Sequence, residues 1–305
     1  MPPPPTDVPP VPLPAESALA APPTALQRLR DDTFDLAELA GYNLYLSAGP
    51  HGLRVGVADV RRNRFIALED YAAQPATSLA GQLQALAAQH DLVGQTGWNR
   101  VRLAVQNRHF TLLPAPLFRA GDEAQYLQLH HQLDAQHEVV RHYRHPNQEV
   151  VSIFAAEKAL AEWFERLYPQ QKLLHQTSAL LEGVVHQSER QGPPRLFLSV
   201  GPMELTIVVV RDKRPEFCNV FTFSTAEDFI YYVILVMQEL TLNPDEDPVV
   251  VYGDLTHDSE LFSILRKYIR HVRFGNRPYD LGYSYRLNDV FEYRYFELYS
   301  LHLCE

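Results

Sequence analysis

Two stretches, LYLSAGPHGL at residues 44–53 and LFLSVGPMEL at 196–205, carry the same apolar strand, serine, glycine–proline turn and leucine about 150 residues apart. Each opens the same succession of elements. In the first copy, 43–47 and 53–60 read as paired strands around AGPHG, and 63–70 reads as a third. In the second, 195–199, 204–211 and 216–223 repeat the meander, with turns containing Gly201-Pro202 and DKRP between the strands. A helical pattern follows each meander, 78–90 and 225–240, and then a short apolar strand, RVRLAV at 100–105 or PVVVYG at 248–253. A further helix, 122–133 or 258–269, and a further strand, 138–143 or 271–274, complete each unit. The order is βββαβαβ, twice. Strands joined through helices imply mixed α/β sheets with helices packed on their faces. Between the copies, 155–168 and 177–190 read as helices, with QKLLHQ at 171–176 as a strand between them. The chain then divides into a tail at 1–32, a first lobe at 33–170 and a second at 171–305, with a cleft between the lobes as the place to look for a ligand.

Composition bounds the function. The 305 residues are 46% hydrophobic and 21% charged, enough apolar surface for one large or two ordinary globular domains. A net charge of -10, from 37 acidic and 27 basic residues, argues against a nucleic-acid binder, because phosphate backbones are held by clustered Lys and Arg. Cys218 and Cys304 have no metal-ligand spacing and read as reduced thiols in the cytoplasm. The Pro/Ala-rich opening, MPPPPTDVPPVPLPAESALAAPPTALQRLR, lacks the basic-then-apolar order of a secretion signal and reads as a solvated polyproline tail. It is either unselected or a ligand for a proline-reading module. The most apolar window, 229–240, falls short of the ~20 residues of a membrane span, so no membrane association is expected.

A duplicated βββαβαβ unit whose first hairpin bears a small-residue turn resembles the actin, sugar-kinase and heat-shock ATPase superfamily. Its two ribonuclease-H-like lobes hold ATP between them, and the connecting segments resemble the pilus-assembly and secretion relatives of PilM and GspL type. More narrowly, STAEDFIYYVILVMQEL, YGDLTHDSELFSILRKYI and RYFELYSLHLCE resemble a bacterial family of Bacteroidota, domain of unknown function 3822, over roughly residues 35–305. The resemblance implies an actin-like, ribonuclease-H-like fold, and the narrow family has no activity to transfer.

The superfamily's ATP-hydrolysing members carry Asp-x-Gly turns in both lobes, whose glycines let backbone N–H groups approach phosphates and whose acids position Mg²⁺. The matching positions here are Ser47-Ala48-Gly49-Pro50 and Ser199-Val200-Gly201-Pro202. Serine supplies no negative charge, and proline has no N–H to donate. The apolar strand that ends in Gly-Gly beside the adenosine corresponds to residues 249–254, where Gly253 survives and Asp254 replaces the second glycine. Ser47, Gly49, Ser199, Gly201, Gly253 and Asp254 are therefore the cofactor-contacting candidates if a nucleotide binds at all.

Other constellations are weaker. His130, His131, His137, His142 and His145 crowd one region without HExxH or a cysteine partner, and no metal is assigned. Glu157, Glu162, Glu165 and Glu182 lie on the connecting helices, where some superfamily members place a water-activating acid; an amphipathic helix ordinarily carries such charges on its solvated face. No GxSxG elbow marks a serine nucleophile, and no catalytic residue is assigned. The final third is rich in aromatics, among them Tyr279, Tyr283, Tyr285, Phe291, Tyr293 and Tyr295, which fill a core or mark a partner surface. The expectation is a cytoplasmic actin-like protein with degenerate phosphate turns, no cofactor and a protein partner. The alternative is an ATP-binding switch, with ATP and Mg²⁺ in the inter-lobe cleft.

Overall fold

Strands whose side chains are apolar on both faces need cover on both sides, and this requirement organises the molecule. The structure is a computed structural model and describes residues 21–188 and 194–305. In chain order the elements are β1 (Ala25–Arg30), β2 (Tyr42–Gly49), β3 (Gly52–Asp59), β4 (Arg64–Ala72), α1 (Leu79–Ala87), β5 (Arg100–Val105), β6 (Phe110–Pro114), α2 (Glu123–Gln128), β7 (Glu138–Arg144), β8 (Val150–Glu157), α3 (Lys158–Leu167), β9 (Lys172–His175) and α4 (Gln176–Gln187). They continue with β10 (Arg195–Val200), β11 (Glu204–Arg211), β12 (Arg214–Thr222), α5 (Ala226–Glu239), β13 (Val249–Gly253), α6 (Glu260–Tyr268), β14 (Val272–Phe274), β15 (Gly282–Tyr283) and α7 (Phe296–Ser300).

Two mixed sheets result. The first has the order β1-β4-β3-β2-β5-β9, with β15 also on β4; the second has the order β12-β11-β10-β13-β14. In both, the meander is antiparallel and its first strand lies parallel to the strand that follows the first helix, β2 on β5 and β10 on β13. The duplicated βββαβαβ order is present. Helix starts follow from local chemistry: Ser78 Oγ accepts from the Gly81 N–H at 3.1 Å, and Thr225 with Asp228 forms a reciprocal capping box.

Several expectations need correction. The helix and strand that complete the first lobe are α3 and β9, because β9 is the strand that pairs in parallel with β5. The 138–143 strand, here β7, instead belongs to a separate antiparallel sheet, β6-β8-β7, inserted between β5 and α3. Local apolar patterning marks a strand but does not name its neighbour. Residues 155–157 end β8 rather than begin the helix expected at 155–168.

The strand β1 lies within the stretch expected as tail, and β9, beyond residue 170, pairs in the first sheet. Ala25–Arg30 is a strand on β4, and Arg28 and Arg30 pair with the buried Glu69. The first 20 residues of the expected tail, and the end of the helix expected at 177–190, lie outside the described residues. The segment after β14 returns to the first lobe. Leu281, Leu287, Tyr295 and Tyr299 pack on Tyr45, Phe65 and Leu68, covering the face of the first sheet opposite α1 and α3. Burying a side chain such as Phe65, fully inaccessible here, is worth roughly 2–3 kcal/mol, which explains why the aromatic C-terminal segment closes that face instead of extending the second lobe. Buried Arg102 donates to the carbonyls of Leu301 and His302 at 2.5 and 3.0 Å and satisfies groups that the final turn leaves free. Helix α4 is buried along most of its length, and Gly183 lets α7 cross it, since a Cβ there would lie 2.3 Å from Ser300 Oγ. Both cysteines are free thiols.

Candidate functional site

The two quoted turns face each other. Gly49 pairs with Gly52 across the β2–β3 hairpin, leaving Pro50 and His51 at its tip. Across the cleft, the Gly201 N–H donates to the Glu204 carbonyl at 2.8 Å, and His51 Nε2 lies 3.8 Å from a Glu204 carboxylate oxygen. Ser199, Gly201, Gly253 and Asp254 line the cavity between the lobes, whereas Ser47 and Gly49 stand behind Gln106, which lines it from the first lobe.

Behind each turn the chain repeats a second feature. The residues that follow β5 and β13 are Gln106 and Asp254, and their N–H groups donate to the carbonyls of Ala48 and Val200 at 2.8 and 2.7 Å. Gln106 folds back over its own turn: its Nε2 donates to Ser47 Oγ at 3.0 Å, and its Cβ would lie 2.4 Å from a Cβ on Gly49. The space beside Gly49 is filled by this side chain. Gly253 holds a left-handed conformation, φ +94°, with the Val200 carbonyl oxygen 2.2 Å from where a Cβ would stand. Close strand packing therefore accounts for this glycine without a ligand.

Asp254 reaches across the cleft. Its carboxylate accepts from Arg54 at 3.0 Å and from Arg294 at 3.1 Å. Arg54 is 3.7 Å from the buried Asp70 and lies over the Tyr295 ring, and the Glu297 carboxylate adds to its field. Burial works against its charge, but these carboxylates outweigh it and raise its pKa. Ser199 Oγ donates to Glu297 Oε1 at 2.7 Å. Burial, with Asp254 and Glu204 nearby, raises Glu297 above the usual carboxylate range despite Ser199 and Arg54.

Sequence reasoning did not find Arg54, Gln106 or Glu297; no spacing rule joins residues 200 positions apart. The cavity among these groups has about 40 Å³, room for a few waters, whereas nucleotide-sized ligands occupy sites of roughly 300–1,000 Å³. The polar groups of this cavity are engaged with one another. Positive charge among the acids is already supplied by Arg54, both serine hydroxyls are engaged, and Pro50 and Pro202 offer no donor.

The histidine-rich region separates into distinct groupings. His145 is buried between Glu182 Oε1, 2.7 Å from its Nδ1, and Ser152 Oγ, 2.8 Å from its Nε2. This serine–histidine–glutamate relay has the connectivity of a hydrolytic triad, but Ser152 is wholly inaccessible on a strand paired on both sides, so no substrate reaches it. It ties the inserted sheet to α4. His142 pairs with Glu123, and His131 meets His109 and Glu138. Glu157 Oε2 accepts from the Leu79 N–H at 3.1 Å at the start of α1, and Glu165 pairs with Arg141 at 2.8 Å. Of the C-terminal aromatics, Tyr293, Tyr295, Phe296 and Tyr299 are core, whereas Tyr279, Tyr285 and Phe291 are exposed. A groove of about 550 Å³ separates β6 from β12, with consecutive residues of both outer strands along it.

Among the described residues no helix is long and apolar enough to cross a membrane. No curated protein matches the sequence. A Bacteroides thetaiotaomicron protein of actin-like ATPase fold and unknown function is similar at 21% identity and TM-score 0.77, over 90% of this chain and 100% of that one. A chain of the PilM–PilN type IV pilus biogenesis complex is similar at 18% identity and TM-score 0.58, over 86% of this chain and 98% of that one. The family described as protein of unknown function DUF3822 matches residues 31–272. With most of its length covered by that match, and with the lobes, turns and crossovers described above, the chain belongs to the DUF3822 family and has the actin-like ATPase fold.

Proposed function

We propose that this protein works by binding a protein partner, and that its inter-lobe cleft is a structural joint instead of an ATP site. One observation carries the reading: the chain's own Arg54, Asp254, Arg294 and Glu297 meet where the two turns face each other, and Gln106 lies over Gly49. A cleft in which Arg54 and Arg294 are already paired with Asp254 gains little from a triphosphate and would have to break those ion pairs to admit one. The groove between β6 and β12 is the surface this reading assigns to the partner. Outer strands present unpaired N–H and C=O groups, which an extended segment satisfies by strand addition. Membership of a similarly folded chain in the two-protein PilM–PilN complex is in keeping with that role.

The test is the melting temperature with and without Mg²⁺-ATP at millimolar concentration. No shift is expected. A magnesium-dependent rise of several degrees, lost on replacing Gly201 with a bulky residue, would favour the ATP-binding switch and overturn this reading.

A further inference from the structure

The inserted sheet holds a group of side chains that neither the cleft nor the groove uses. His109 lies in the connection between β5 and β6, His131 follows α2, and Glu138 opens β7. One ligand-capable atom from each lies within 4.8 Å of the others. The two imidazoles stack with ring centres 3.7 Å apart and planes within 13°. Both direct a nitrogen to the same carboxylate: His131 Nε2 is 2.9 Å from Glu138 Oε2, and His109 Nδ1 is 3.6 Å from Glu138 Oε1.

We propose that His109, His131 and Glu138 form a binding site for one divalent transition-metal ion of the zinc class, which fastens the loop between α2 and β7 to the turn that enters β6. Two imidazoles and one carboxylate are a donor set suited to zinc, cobalt or nickel and poorly suited to magnesium or calcium, which take oxygen ligands. The spacing is close to that required. Bonds of about 2.0–2.1 Å around a tetrahedral zinc place neighbouring ligand atoms about 3.3 Å apart, so small side-chain rotations bring these atoms onto one ion.

Outer partners hold the ligands in place. The Asp134 N–H donates to Glu138 Oε2 at 2.9 Å. The His109 N–H donates to Asn107 Oδ1 at 2.8 Å, and its carbonyl accepts from the Ala155 N–H at 2.9 Å. All three side chains are partly open to solvent, at 32%, 16% and 20%, so water or a partner's side chain can complete the coordination. A bound ion would also close a loop of about 30 residues, stabilising the inserted sheet by restricting the unfolded chain.

The experiment is titration of the untagged, EDTA-treated full chain with Co²⁺, followed by visible d–d absorption and then by displacement with Zn²⁺. One equivalent should bind with a tetrahedral spectrum, and Zn²⁺ should raise the melting temperature by several degrees. His131→Asn and Glu138→Gln should each weaken binding at least tenfold while keeping the metal-free melting temperature within a few degrees of the parent. Asp134→Asn should bind as the parent does, because its carboxylate pairs with the exposed His137 outside the three-ligand set. Absence of saturable uptake overturns the proposal. So does uptake that survives in both ligand variants, or that fails in Asp134→Asn alone, since the ion would then sit elsewhere.

Discussion

Gln106 and Asp254 occupy equivalent places, one residue past the parallel strands β5 and β13, yet they close the cleft in opposite ways. Gln106 stays within its own lobe and covers Gly49 and Ser47. Asp254 leaves its lobe and joins Arg54 across the gap. The serines differ accordingly: Ser47 accepts from an uncharged amide, and Ser199 donates to a carboxylate whose pKa is raised. Two copies of one turn have thus become a covered end and a cross-lobe clasp. Duplication repeats the backbone, while the residue at the strand exit decides what the turn touches.

The largest expected effect lies at the strand exit itself. Gly253→Ala places a Cβ against the Val200 carbonyl in a left-handed conformation and should cost about 3 kcal/mol in urea unfolding. The equivalent residue in the first lobe, Val105, is an ordinary strand residue. Should Gly253→Ala prove neutral, the close approach that distinguishes the second lobe would be refuted.

The paired turn glycines separate the lobes by a smaller margin. Gly49→Ala meets the Gln106 side chain at its root, where little can give, and should cost about 2 kcal/mol. At Gly201 the nearest atom is 3.5 Å away, so Gly201→Ala should stay within about 0.5 kcal/mol of the parent. Equal effects at the two sites would break the comparison, because they would mean that Gln106 does not cover its turn in solution.

Glu297 supplies the smallest effect and the one read through pH. Its folded pKa is raised, so the native state binds the proton more tightly than the unfolded chain does, and stability falls as pH rises above the ordinary value of 4.5 toward the folded value. Glu297→Gln keeps an acceptor for Ser199 and removes that dependence. Its melting temperature should exceed the parent's at pH 7 and converge with it below pH 4.5. A variant that is less stable at pH 7 would show that the charge is favourable, with Arg54 outweighing burial.

Much of the architecture was legible from one sequence because strands and turns are local. The βββαβαβ order and the two hairpins follow from alternation and Gly-Pro turns, and the helical patterns at 78–90, 225–240 and 258–269 contain α1, α5 and α6. The assignment of 138–143 to the first lobe failed for a physical reason: a short, largely polar strand such as EVVRHYR fits the edge of more than one sheet, and β7 pairs with β8 through contacts that local sequence does not encode. Ala25–Arg30 was hidden by its polar sequence, since an outer strand with Arg28 and Arg30 on Glu69 needs no apolar alternation. At the candidate site, the turns and their missing acids were visible, whereas Arg54, Gln106 and Glu297 were not.

The amino-acid sequence by itself determined that two copies of a strand-rich unit exist and that both turns lack acids where the superfamily carries them, because those properties reside in neighbouring residues. Only the tertiary structure decided that β9, β15 and the aromatic C-terminal segment complete the first lobe, that a guanidinium stands among the cleft carboxylates, and that His109 and His131 share Glu138. Those pairings join residues from 7 to more than 200 positions apart. Chain connectivity leaves such contacts open until burial of the sheets' second faces brings the segments together.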